Sequence, residues 1–319
     1  MSSSRREFIA GLSAAGVLAT VPSAAHAALA DPLLYPPIDL SAFDTPLHHG
    51  DPVIHPGCSA ITWGDKALPA IQDIAAAGFS GIQLRAPVID QYPDPHALRD
   101  VIAQNKLTFV ALSSGSGSID PAVRKSQLEL HTKHAQYVHE AGGLYMQVIA
   151  SNSSPTATHT AADYKLQGEV FNEIGKAAAD FGVKLGFHNH MNSVGQPPEA
   201  VDAILEASDP KYLHLVLDVA HYLQGGGDPA ACIRKYGKRI LFMHFKDVRT
   251  VPDGAGYEWV ELGTGRVDFP AVIAALHDIH YRGWAIVELD RVPKGQTLTP
   301  KDANAQSLRY LREKFGVQA

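Results

Sequence analysis

Between residues 185 and 290 the chain spaces imidazoles, carboxylates and one ammonium group like residues at strand ends. The segment 185–193 reads Leu-Gly-Phe-His-Asn-His-Met-Asn-Ser, and a period of two puts His188 and His190 on one face, with Phe187 and Asn189 opposite. The segment 215–221, Leu-Val-Leu-Asp-Val-Ala-His, ends in Asp218 and, three residues on, His221. His244 and Lys246 close the apolar run that starts at 240, and Glu288 closes the run that starts at 283. Gathered in one place, these groups would bury charge at a cost of many kcal/mol unless something compensated them. A bound divalent cation is the simplest compensation, and mixed histidine and carboxylate ligation suits Mn²⁺, Co²⁺, Fe²⁺, Zn²⁺ or Ni²⁺. Taken singly, each residue has a plainer use: a histidine satisfied in a core, Asp218 as a helix cap, Glu288 and Asp290 as loop acids. What selects the metal is the coincidence of four successive strands ending in ligand types on the inward parity.

The elements needed to bring these ends together are legible in the rest of the chain. Short apolar runs predict strands at 53–59, 81–85, 107–112, 144–150, 184–190, 213–218, 240–246 and 283–289. They alternate with segments of helical period near 66–77, 95–105, 121–141, 162–181, 198–207, 228–237, 268–280 and 301–315. Gly78, Gly142-Gly143 and Gly182 end helices, and Asp120-Pro121 reads as a cap followed by a first turn. Eight strand–helix units without a linker predict a single (β/α)₈ TIM barrel over 51–319. A doubly wound open sheet is the competitor, but no Gly-rich dinucleotide turn follows the first strand. In 240–246, Leu241, Met243 and Phe245 share an apolar face; Ile240, Phe242, His244 and Lys246 share one that turns polar towards its end. A barrel interior needs that gradient, with packed layers below and chemistry at the C-terminal mouth.

Composition bounds the function class. Of 319 residues, 45% are hydrophobic and 19% charged, enough for a large core. A net charge of −6 gives no attraction to nucleic acid or to an anionic membrane. Two cysteines, Cys58 and Cys232, exclude a disulfide scaffold and a thiolate zinc cage, and both are expected as buried free thiols. Ser4-Arg5-Arg6-Glu7-Phe8-Ile9, an apolar stretch to Val21 and the sites Ala25-His26-Ala27 and Ala28-Leu29-Ala30 resemble a twin-arginine export signal over 1–30. Residues 31–50 then read as an extended lead-in, and the mature protein is expected in the periplasm after passage through the twin-arginine machinery. Expected partners are a small sugar or glycoside and, in a homo-oligomer, further copies of the chain; no nucleic acid and no membrane are expected.

The segments Leu217-Asp218-Val219-Ala220-His221, Met243-His244-Phe245-Lys246-Asp247 and Ile286-Val287-Glu288, with Leu262-Gly263-Thr264-Gly265 running into Val267-Asp268-Phe269, resemble the sugar phosphate isomerase/epimerase superfamily of xylose-isomerase-like TIM barrels. The resemblance covers nearly the whole mature chain. It implies one divalent metal, Mn²⁺ first, with Co²⁺, Fe²⁺, Zn²⁺, Ni²⁺ or Mg²⁺ as alternatives, held by Glu, Asp, His and Glu from strands five to eight. Asp218, His244 and Glu288 match three of those positions. The fifth strand offers His188 where glutamate is typical, so the fourth ligand is either His188 or Gln147. The histidine-rich fifth strand is similar to the inosose dehydratase branch and to lyases acting on 3-keto sugars. By the same resemblance the glycine loop at 262–265 approaches substrate.

The chemistry implied is removal of a proton alpha to a carbonyl, with the charge on oxygen stabilised by the metal. Reprotonation gives isomerisation or epimerisation; departure of a beta oxygen gives a lyase. His188, His190 and Glu288 are the candidate bases. Lys246 would polarise a substrate oxygen or form a structural ion pair, and His221 would act as an acid or hold a hydroxyl. Trp63, Gln83, Arg85, Tyr145 and Gln147 are candidates for sugar contacts, Trp63 equally for packing. No phosphate cradle appears, so an unphosphorylated sugar or glycoside is expected. Two other classes stay open: a sugar-binding barrel without catalysis, motivated by the missing glutamate, and a metal-dependent endonuclease, disfavoured by the acidic charge.

Overall fold

Eight parallel strands close on one another, and an apolar layer separates them from the surrounding helices. The computed structural model describes residues 52–154, 157–251 and 256–318; the expected export signal and the lead-in at 31–50 lie outside the described residues. The barrel strands are β1 (Val53–Ser59), β2 (Gly81–Arg85), β3 (Thr108–Gly117), β4 (Tyr145–Ala150), β5 (Lys184–His188), β6 (Leu213–Asp218), β7 (Ile240–Phe245) and, last in the chain, β10 (Arg282–Val287). They pair in that order, and β10 returns to β1. Each is followed by helix: α1 (Ala67–Ala77), α2 (Val88–Gln91) and α3 (Pro95–Gln104), α4 (Arg124–Glu140), α5 (Ala161–Ala179), α6 (Pro198–Glu206), α7 (Val219–Gln224) and α8 (Pro229–Tyr236), α9 (Phe269–Asp278) and α10 (Pro300–Phe315). The (β/α)₈ expectation holds, with two additions. A two-stranded antiparallel hairpin, β8 (Asp247–Thr250) and β9 (Tyr257–Val260), leaves the end of β7, and short helices α2 and α7 sit in the loops of the mouth.

Local chemistry explains the boundaries. Asp94, Asp228 and Asp268 accept backbone N–H bonds at the starts of α3, α8 and α9, each followed by proline at the first or second helical position. Thr160 and Asp163 form a reciprocal capping box on α5. Asp120-Pro121 does not open α4 as expected: Asp120 closes a separate turn by accepting from Ala122, and the helix begins at Arg124. β3 runs past 112 because its register with β4 shifts between Ser113 and Ser116, where Gly115 takes a φ of +101°.

The barrel floor is filled by Val110, Ala111, Val216, Phe242, Trp284 and Ile286. Gly57, Gly81 and Gly186 make room for them: a Cβ at these positions would lie 2.4 Å from Ile286, 2.4 Å from Trp284 and 2.3 Å from Val216. The parity predicted for β7 holds for Phe242 and His244 but fails at its start. There Leu241 packs against the inner cluster and Ile240 against the outer core, beside a register shift at Leu215/Val216. Both cysteines are buried and free, as expected.

Outside the barrel wall, the buried Ser114 hydroxyl stands 2.7 Å from both His131 Nδ1 and His134 Nδ1 of α4. His131 Nε2 lies 3.1 Å from the Ser116 carbonyl, which can only accept, so the Nδ1 of neutral His131 accepts from Ser114. Burial pushes His131 down to about 4. The unfolded chain then binds a proton near pH 6.5 that the folded chain refuses, so stability is full above that pH and falls as pH drops towards 4. The stability difference between the parent and His131→Asn should shrink by about 2 kcal/mol from pH 7.5 to pH 5. Urea unfolding at the two pH values measures it; an unchanged difference would mean that His131 titrates normally.

Candidate metal centre

The C-terminal ends of β5, β6, β7 and β10 bring His188, Asp218, His244 and Glu288 together, with one ligand atom of each within 4.8 Å of the others. All four are buried. His244 Nδ1 stands 3.4 Å from Glu288 Oε1 and 3.7 Å from Asp218 Oδ2. Ligands sharing one tetrahedral ion at bonds of about 2.1 Å stand roughly 3.4 Å apart. His188 Nδ1, Asp218 Oδ2 and His244 Nδ1 are buried without a hydrogen-bond partner, although such groups are normally satisfied. Three orphaned atoms of the right kind, all in one four-residue group, fit a metal ion.

Each ligand is held from outside the group. Asp218 Oδ1 accepts from the Ala220 and His221 amides at 2.9 and 2.8 Å, capping α7 and leaving Oδ2 over. Asn189 brackets the Asp218 backbone, accepting from its N–H at 2.9 Å and donating to its carbonyl at 3.1 Å. Gln83 Oε1 lies 2.7 Å from His244 Nε2 and so accepts its proton, which turns the Nδ1 lone pair towards the carboxylates. Gln83, expected to touch sugar, is thus bonded to His244 of this cluster.

Lys246 is fully buried, 3.2 Å from Glu288 Oε1, 2.5 Å from Asp290 Oδ1 and 3.4 Å from His221 Nε2. Its ammonium lies 4.5 Å from the Trp259 ring centroid on the hairpin. Three carboxylates, Asp218, Glu288 and Asp290, thus face one ammonium, and the two remaining negative charges match a divalent cation. Burial works against a charged His244, but Glu288 and Asp218 outweigh it and raise the ring to about 9. A cation binding at Nδ1 must therefore displace that proton, and the charge match above is the one reached once it has done so. Burial would likewise raise Glu288, yet His244 and Lys246 hold it well below the usual carboxylate range.

His190 and His221 form a second layer, with ring centroids 4.2 Å apart. His190 Nδ1 is 2.7 Å from the Met191 carbonyl, so Nδ1 carries the proton and half-buried His190 presents its Nε2 lone pair. Burial, with the Lys246 charge added, holds His221 well below its ordinary value, hence neutral. His188, His190 and His221 also offer nitrogens within 4.8 Å of one another, but the Lys246 ammonium at His221 opposes a second cation there.

Three predicted sugar contacts lie elsewhere. Trp63 is in a 3₁₀ turn, packed in the outer core with Nε1 donating to Asp73 at 2.8 Å. Tyr145 is on the inward face but at the floor, stacked on Phe242. Arg85 pairs with Asp65 at an exposed rim position. Gln147 is buried with Nε2 on Ser113 and Oε1 unpartnered. The Leu262–Gly265 loop is latched by Asp247, whose carboxylate accepts from the amides of Val248, Gly263, Gly265 and Val267 at 2.8–3.0 Å. A Cβ at Gly265 would fall 2.2 Å from that carboxylate, which accounts for the glycine. The hairpin residues Tyr257 and Trp259 were not anticipated; Tyr257 donates to Met191 Sδ at 2.8 Å, and Trp259 meets His221 edge-on at 4.7 Å.

Comparison with known proteins agrees with this fold. An inosose dehydratase of Bacillus velezensis is 27% identical over 274 residues, covering 74% of this chain and 89% of that protein. The IolI protein, solved with a zinc atom, superposes with a TM-score of 0.68 at 19% identity over 82% of this chain and 97% of that one. A D-allulose 3-epimerase from Methylomonas sp. superposes with a TM-score of 0.66 at 21% identity, covering 82% and 98%. Residues 71–314 match the model of one family. The chain belongs to the xylose isomerase-like TIM barrel family.

Proposed function

We propose that the protein is a divalent-metal-dependent enzyme that removes a proton alpha to the carbonyl of a keto sugar or keto cyclitol and completes a beta-elimination. The observation that carries this reading is the set of orphaned ligand atoms on His188, Asp218 and His244, next to a histidine whose lone pair is fixed in place. His188, Asp218, His244 and Glu288 would hold the ion. When bound, the ion supplies Lewis-acid stabilisation of negative charge developing on a substrate oxygen.

The chain's own residues do the rest. His190 accepts the substrate proton at Nε2, and its Nδ1–H, tied to the Met191 carbonyl, keeps the ring oriented. Lys246 supplies fixed positive charge, since its contacts are taken by Glu288, Asp290 and His221. For the departing beta oxygen, the proton held on His190 is available, so that proton and hydroxide leave together as water. The relatives named inosose dehydratase support elimination over isomerisation, as does His188 in place of a second glutamate for proton transfer between faces. Residues 1–30 support export and hence an unphosphorylated substrate.

Incubation in D₂O with a 3-keto glycoside or a keto cyclitol tests the reaction. The expected result is aglycone or water release, with deuterium entering unreacted substrate at the carbon alpha to the carbonyl, because elimination leaves that carbon without a hydrogen in the product. Deuterium uptake into a ketohexose without elimination would replace this reading with isomerisation, and neither release nor exchange with any of these substrates would overturn it.

A further inference from the structure

The opposite end of the barrel carries a feature that the mouth chemistry does not use. The stretch Arg234-Lys235-Tyr236-Gly237-Lys238-Arg239 joins α8 to β7 and places four cations in six residues of a chain with net charge −6. β10, the neighbour of β7, starts with Arg282. Together with His280 and Tyr281 these residues line a cavity of about 580 Å³ at the N-terminal ends of the strands, and among the described residues no Asp or Glu lines it.

Part of this charge has a local explanation. Arg234 and Lys235 lie in the last turn of α8, where cations offset the helix dipole, and they pair with Asp278 and Asp202 at 2.7 Å. Lys238 and Arg239 follow in a single 3₁₀ turn, Gly237–Arg239, and Arg282 opens β10. The half-buried Arg239 donates to the carbonyls of Leu205 and Leu213 and to Ser208, while its buried Nε has no partner. Its hydrogen-bond partners are thus all neutral. The field reaches across the floor: His214 on β6 is pushed down to about 4 by burial and by Lys184 and Arg239. His55 on β1 is pushed down by burial and by Arg282. The cations gathered on this concave wall, of which Arg234 and Lys235 are paired to Asp278 and Asp202, favour a multiply charged anion. Arginine forks and lysine ammonium groups are the donors that match phosphate oxygens.

We infer that this floor cavity is an anion site for a phosphate group, either on a free phosphate compound or on a lipid headgroup, separate from the candidate metal centre. The probes are pyrophosphate, by isothermal titration at low and at 0.5 M salt, and sedimentation with phosphatidylglycerol vesicles, on the full mature chain with its metal. Lys238 and Arg282 are exposed, so Lys238→Glu with Arg282→Glu should fold, and metal content is measured on the same sample. The expected result is saturable one-to-one pyrophosphate binding, weakened at least about tenfold in the double variant and by salt, with metal content unchanged. Binding to vesicles alone, lost in the same variant, would assign the headgroup as ligand. Binding of neither probe, or binding that the double variant leaves intact, overturns the site whether or not the metal reading stands.

Discussion

Replacing Asp218, His244 or Glu288 with alanine is expected to remove the bound metal and the activity together. Asp218→Asn is the sharpest form of this test, because Asp218 has two jobs. One oxygen caps α7 and the other is left over for an ion. Asparagine keeps an acceptor for the cap, which is worth about 1 kcal/mol, and keeps the side-chain volume, so the fold should survive. It removes one of the two uncompensated negative charges at the centre. Metal affinity should fall by more than the roughly 10–100-fold typical of partners that only support a ligand; Gln83→Leu, which releases His244 Nε2, should fall within that range. Metal content of dialysed protein, together with the gain in melting temperature on adding Mn²⁺ or Zn²⁺, measures both. Full occupancy in the Asp218, His244 and Glu288 variants would contradict the centre.

The four-residue cluster was legible because strand parity and strand ends are local properties. An apolar run that turns polar at one end declares its direction, and in a barrel all such ends meet at one mouth. Four strand-end residues thus met from positions a hundred residues apart. Height within the barrel is not local: Tyr145 has the inward parity of Gln147 but lies at the floor with Phe242, since where a strand begins depends on its neighbours' register. Trp63 follows β1 directly, yet the 3₁₀ turn from Ala60 carries it outward to Asp73. Arg85 found a partner, Asp65, that nothing in the spacing indicates. The hairpin was missed because each of its strands is four residues long, too short for an alternation to register, and with it went Trp259 over Lys246. Asn189 shows the other limit. Its parity was right, but its role, gripping the Asp218 backbone from the adjacent strand, is a pairing that becomes visible only in three dimensions.

His190→Gln should separate proton transfer from metal binding. His190 is not in the four-residue ligand group, and its tautomer is set by the Met191 carbonyl and not by a carboxylate. Glutamine approximates the reach of the ring and its capacity to donate to that carbonyl, but has no basic lone pair. The variant should therefore load metal as the parent does and lose about 10²–10⁴-fold in kcat, the range a positioned base contributes, with deuterium exchange at the alpha carbon falling in parallel. His188→Gln should behave oppositely. His188 is buried among His190, His221 and His244 and held well below its ordinary value, first by burial and then by its histidine neighbours. It offers an orphaned nitrogen to the ion, so its loss should appear first as lost metal. If His190→Gln lost metal while keeping exchange per bound ion, His190 would be a ligand and the base would have to be sought elsewhere in the cluster. If both variants kept metal and activity, the proton would be moving through Glu288, which Lys246 and His244 hold in its ionised form.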